Sequence, residues 1–101
     1  MKYRPFYTYY VAHVIRHFFS DAQPANPSKA YRMNYDCAAR IIGHLSDTEQ
    51  EILRTLYAGD QTECLTIRAN AEADKRGMPR TAIWNLISET ERKIALAREL
   101  I

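Results

Sequence analysis

The stretch "RGMPRTAIWNLISETERKI", residues 76–94, decides how the rest of the chain is read. Gly77, Met78 and Pro79 read as a turn, because glycine tolerates positive φ and proline suits the opening of a helix. Beyond them Ile83, Leu86, Ile87 and Ile94 recur at the spacing of one helical face. The stripe continues through Ala97, Leu100 and Ile101. A helix is therefore expected from near Pro79 to the end of the sequence, some 30 Å long at about 1.5 Å per residue.

Immediately upstream, "LSDTEQEILRTLYAGD", residues 45–60, carries the clearest helix signal. Ser46 can accept from a first-turn N–H while Glu49 reaches back to the cap's own N–H. Ile52, Leu53, Leu56 and Tyr57 supply a buried face, and Gly59 suits a left-handed exit. Between the two stretches, Asp60 to Glu63 offers another capping box, and Leu65, Ala69 and Ala73 share a face up to Gly77. "CLTI", residues 64–67, alternates enough that a short extended piece before a helix from Arg68 is a second reading.

The N-terminal part has the same periodicity. Phe6, Tyr7, Tyr10, Val11, Val14 and Phe18 form a stripe opened by Pro5 and closed near Ser20. A loop with Pro24 and Pro27 follows. Asn26 is the expected cap of a second helix bearing Tyr31, Tyr35, Ala38, Ile42 and Leu45. The expected fold is all-α: about five helices in one domain over residues 1–101. An aromatic-rich N-terminal pair (1–45) packs on a trihelical C-terminal unit (46–101) with a long last helix.

Composition agrees. A chain of 101 residues supports one core, and its 47% hydrophobic and 26% charged content is that of an ordinary soluble globular domain. Three glycines and four prolines are too few for the tight turns of an all-β domain. No apolar run approaches membrane-spanning length, and no small-residue cleavage site follows the N-terminal segment, so a cytoplasmic location is expected. Cys37 and Cys64 are read as two buried free thiols. The net charge of +2 hides an asymmetry: residues 1–45 hold six basic and two acidic residues, residues 46–101 eight and ten. The C-terminal half therefore lacks the basic excess of a simple nucleic-acid binder.

At Ala73, Gly77, Met78, Ile83 and Leu86 the sequence resembles the helix-turn-helix family. That pattern has a small residue where two helices approach, a turn glycine four residues later, an apolar turn residue, then apolar anchors under the second helix. With "LSDTEQEILRTLYAGD" ahead of it, the second half of the chain is similar to the region-four domain of RNA polymerase sigma factors. Two positions depart: Arg76 stands where the family has an apolar residue before the glycine, and Glu72 where it has one before Ala73. The sigma region that contacts the upstream melted element has no counterpart. The resemblance implies double-stranded DNA as partner, with RNA polymerase or another protein as a second. It places Pro79, Arg80, Thr81, Trp84, Asn85 and Ser88 on the outward positions of a recognition helix.

The chemistry of that assignment is specific. A helix N-terminus aimed into a groove brings free N–H groups toward phosphate. Arg80 can reach a phosphate or a guanine edge, and Asn85 can pair with adenine. Arg68, Lys75 and Arg76 on the preceding helix can straddle the backbone. The competing reading is that Pro79 and Arg80 merely start a solvated helix and Trp84 packs into the core.

Other chemistry is thinner. His13 and His17 lie one turn apart without a third ligand in pattern and read as structural or surface histidines. Asp47, Glu49 and Glu51 read as first-turn acids favoured by the helix dipole. Without a phosphate-binding glycine loop or a nucleophile elbow, no enzyme and no cofactor are expected. "YRPFYTYYVAHVIRHFF", residues 3–19, supplies either rings for the core or an interface, since apolar residues spill over several faces. The expectation is a small, non-catalytic DNA-binding transcription regulator. The alternative is a protein–protein interaction module on the same fold. Self-association through Ile94, Ala97 and Ile101 of the last helix is expected as well.

Overall fold

A computed structural model of the chain describes residues 5–20, 23–58 and 64–101. Among these residues it is all-helical, with five helices: α1 (Thr8–Phe19), α2 (Lys29–Gly43), α3 (Asp47–Tyr57), α4 (Leu65–Arg76) and α5 (Arg80–Ala97). The long α5 is the spine. Its N-terminal part packs on α4, while α1 and α2 pack on each other and on α5. α3 lies between α1 and α4. No helix among the described residues is long and apolar enough to cross a membrane.

The helix starts follow local chemistry. Ser46 caps α3 with the full reciprocal box: its hydroxyl accepts from Glu49 N at 3.1 Å, and Glu49 Oε1 accepts from Ser46 N at 3.1 Å. For α2 the cap is Ser28 instead of the expected Asn26. Extended backbone at Ser28 aims its hydroxyl at Tyr31 N, 3.0 Å away. α1 begins at Thr8, after a turn in which Thr8 N donates to Pro5 O at 3.1 Å, so Pro5 precedes the helix. α4 is helical from Leu65, so residues 65–67 are not extended. The expected exit at Gly59 and the capping box of Asp60 to Glu63 lie outside the described residues.

Two helix ends close in the same way. Gly77 takes φ 66° directly after α4; its N–H reaches Asp74 O and Met78 N donates to Ala73 O at 2.9 Å. The pairing is that of a Schellman closure, in which an apolar residue beyond the turn returns to the helix. Met78 does so, half-buried against the core. At the end of α5, Glu99 adopts φ 57°, Glu99 N donates to Leu96 O and Leu100 N to Ala95 O at 2.8 Å. Leu100 folds back onto the core. The last helix is therefore shorter than its apolar stripe suggested.

Val14, Ile15, Ile42, Ile52, Leu53, Leu56, Ile83, Ile87 and Ile94 are the large fully buried apolar side chains, together with Val11. They come from four helices and meet as one core. α1 is turned relative to its expected stripe: Ile15 and Phe19 are buried, while Phe6 is 80% exposed. The reason is that α1 has three neighbours, α2, α3 and α5, so it buries a face wider than one stripe. Cys64 is exposed at the cap of α4 and Cys37 is half-buried, so the two thiols are not the core pair expected.

Candidate nucleic-acid interface

The turn between α4 and α5 consists of Gly77, Met78 and Pro79. Ala73 and Ile83 are fully buried, and Leu86 is half-buried against the same core. A side chain at residue 77 would meet nothing within 4 Å, so the glycine is there for its backbone angle and not for space. Outward from this platform, Arg80, Thr81, Asn85 and Ser88 are exposed along α5. Trp84 departs from the expected outward row: it is half-buried against the core. Pro79 precedes the helix with extended backbone and makes no side-chain cap hydrogen bond.

The two departures from the helix-turn-helix pattern explain each other. Glu72 is 4% exposed, and its carboxylate takes a 2.5 Å hydrogen bond from Arg76 Nε. A carboxylate one turn before an arginine is the favourable helical order for an ion pair. Ala73, the next residue, is fully buried. An ion pair occupies the place of two apolar side chains. Arg76 also lies 4.0 Å from Glu51 on α3, linking the two helices.

This arrangement changes which cations face outward. Arg76 is not poised over a phosphate, because two carboxylates draw it inward and its side chain is only 23% exposed. Arg68 is half-buried, and its guanidinium donates to the Leu56 carbonyl. That carbonyl belongs to the last turn of α3, so Arg68 closes a helix end. Arg80 stays outward but has Asp74 at 3.4 Å, both side chains more than half exposed. Lys75 is exposed and has no carboxylate within ion-pair distance among the described residues. Of the basic residues expected at a phosphate backbone, Lys75 and Arg80 remain on the surface. Further along α5, the hydrogen bond and charge of Arg92 hold the Glu89 carboxyl below the usual carboxylate range.

Glu72, Glu51 and Asp74 were missed as partners of the basic residues. Glu72–Arg76 was readable from spacing alone; the reach of Glu51 depends on how α3 lies against α4. Elsewhere, His13 and His17 stack loosely, ring centroids 6.1 Å apart, and His17 lies 5.3 Å from the Tyr31 ring. No group of three or more metal-ligating side chains converges among the described residues. A cavity of about 610 Å³ opens beside α1, with Phe6, Tyr9 and Ala12 on one wall and Tyr57 and Leu65 on the other. Tyr57 and Glu91 are both buried there, the phenol donating to the carboxylate at 3.2 Å.

Ile94, expected at a dimer contact, is fully buried within the single chain. Of the other two residues of that expected contact, Ala97 is half-buried and Ile101 is 51% exposed. No protein-family model, curated protein or solved structure matches the chain.

Proposed function

We propose that the chain is a small, non-catalytic DNA-binding protein of helix-turn-helix type that acts in transcription, with α5 as its reading helix. One observation carries this reading. The α4–Gly77–α5 unit buries Ala73 and Ile83 beneath a left-handed turn and leaves Arg80, Thr81, Asn85 and Ser88 exposed on one helix. A helix entering the major groove needs that division: anchors beneath, short polar and basic side chains above. Arg80 can exchange Asp74 for a guanine edge or a phosphate, because the pair is solvent-exposed and such pairs are weak, about 0–1 kcal/mol. Asn85 offers the amide geometry that fits adenine.

The test is selection from a random duplex library at two salt concentrations, followed by titration of the selected site. Arg80→Ala is expected to weaken binding by about 1–3 kcal/mol and to relax one position of the site. Lys75→Ala should weaken all sequences about equally and flatten the salt dependence by about one unit. Absence of duplex binding by the wild type at low salt would overturn the proposal.

A second reading has its own observation. Arg68 and Arg76 are turned to internal partners, leaving the α4–α5 face with little net positive charge. On that reading the same exposed face of α5 meets a protein. A selection that enriches no duplex, with α5 amides still perturbed by a protein ligand, would favour it.

A further inference from the structure

The basic residues of this protein divide by what holds them. Arg54 lies over the Phe19 ring, 5.0 Å from its centroid, and Arg98 donates to Asn34 Oδ1 at 2.5 Å. Arg76, Arg80 and Arg92 each have a carboxylate partner. Lys29, Arg32 and Arg40 of α2 have none within ion-pair distance among the described residues. All three are exposed, and Arg40 has only Cys37 Sγ nearby, at 3.9 Å.

Their spacing puts them together. Residues 32 and 33 lie three and four after 29 and four and three before 36, and 40 lies four beyond 36, so Lys29, Arg32, Met33, Asp36 and Arg40 form one stripe. It faces away from the core side marked by the buried Ala38 and Ile42. Three cations thus share a stripe with one carboxylate. Met33 lies among them, 44% exposed, with Tyr35 on the flank at 37%. α2 packs chiefly on α1 and α5, and all five residues of this stripe are exposed. Arginine, methionine and tyrosine are the residue types enriched where proteins meet, and methionine adapts to varied apolar partners.

We infer that the outer face of α2 is a docking surface for a protein segment that presents carboxylates interleaved with aliphatic side chains. Charge complementarity selects that partner. Arg32 and Arg40 suit bidentate pairing with carboxylates, and Met33 between them receives an aliphatic side chain. From Lys29 to Arg40 the stripe spans about 16 Å at 1.5 Å per residue, matching a partner of about three helical turns. A phosphodiester track fits worse, because Met33 would be desolvated without an apolar partner in return. The inference does not depend on α5 binding DNA, since it rests on a different helix.

The experiment selects peptides from a random 12-residue display library on the intact chain, then measures a synthetic peptide of the enriched sequence. Enrichment of Asp and Glu alternating with Leu, Ile or Val is expected. The Lys29→Gln/Arg32→Gln/Arg40→Gln variant should bind that peptide at least tenfold more weakly, and Met33→Ser a few-fold more weakly. Amide shift changes should fall on residues 29–43. Should the triple variant melt lower than the wild type, Arg40→Gln alone and a peptide with Glu replaced by Gln read the same contact. Enriched peptides without acidic bias, an unchanged affinity, or shift changes confined to other helices would overturn the inference. So would a random 20-base-pair duplex whose salt slope falls by nearly three units in the triple variant, which would make the stripe a phosphate surface.

Discussion

Arg76 lies 2.5 Å from a carboxylate on its own helix and 4.0 Å from another on α3, whereas Arg32 and Arg40 of α2 have no carboxylate within ion-pair distance among the described residues. The contrast extends to the packing around them. α3, α4 and α5 are joined by aliphatic side chains and ion pairs. α1 and α2 are joined by rings and amides: Phe18 against Tyr35 at 5.3 Å, His17 against Tyr31, and Tyr10 sharing hydrogen bonds with Asn34. Equal arginines thus do unequal things. In the C-terminal unit they join helices, and in α2 they stand in solvent without an ion-pair partner among the described residues. Net charge alone gives no sign of that division.

The sharpest way to break the contrast is to ask whether the two regions are one folding unit. Ile42→Ala in α2 and Ile83→Ala in α5 each remove a fully buried side chain and should each cost about 2–5 kcal/mol in urea unfolding. Because α5 packs on both regions, each variant should shift a single transition. Two separated transitions would show that the pair and the trihelical unit melt independently.

Next in size is the ion pair itself. Arg76→Met strands the buried Glu72 carboxylate and should cost about 3 kcal/mol, near the low end for a broken buried pair. Replacing both, Glu72→Leu with Arg76→Leu, restores the apolar pair and should bring stability to within about 1 kcal/mol of the wild type or above it. Arg32→Met, the matched change in α2, should move stability by less than about 0.5 kcal/mol. Equal losses for Arg76→Met and Arg32→Met would erase the distinction.

A smaller effect tests the turn. Gly77→Val should cost about 1–2 kcal/mol through backbone strain alone, and Gly77→Asn less, as read by thermal melts. Smaller again, Ser46→Ala and Ser28→Ala should each cost about 1 kcal/mol, with Ser46 the larger because its cap is reciprocal. The smallest concerns Glu89, whose carboxyl Arg92 holds below its usual value. A lowered folded-state pKa contributes stability that is present above the unfolded value and lost as pH falls through the folded one. Arg92→Gln should move the Glu89 titration upward in carboxyl-detected NMR; an unmoved titration would mean the pair does not persist in solution.

Much of the fold was legible because its signals are local. Ser46 and Glu49 sit three apart, Gly77 follows a helical stripe, and Ile83 and Ile87 repeat at one turn, so these elements could be placed without knowing their neighbours. What was not legible depends on neighbours. Ile15 and Phe19 are buried because α1 touches three helices, which no single stripe encodes. Trp84 turns partly inward and Arg68 reaches the end of α3, each through a contact distant in sequence. The candidate site divides in the same way. Arg80 and Asn85 are exposed as expected, and the Glu72–Arg76 pair is a matter of spacing within α4, while the approach of Glu51 depends on how α3 lies against α4.

The dependence of both regions on α5 also has a consequence in time. Asn34 of α2 takes its hydrogen bond from Arg98, 64 residues later, and Val14 and Ile42 belong to the core that Ile87 and Ile94 complete. A ribosome adding about 5–20 residues per second finishes α2 several seconds before it reaches the end of α5. Through that interval α1 and α2 have each other and α3 for cover, but not α5. The nascent chain therefore passes through a stage in which the α5 side of Val14 and Ile42 is open to water.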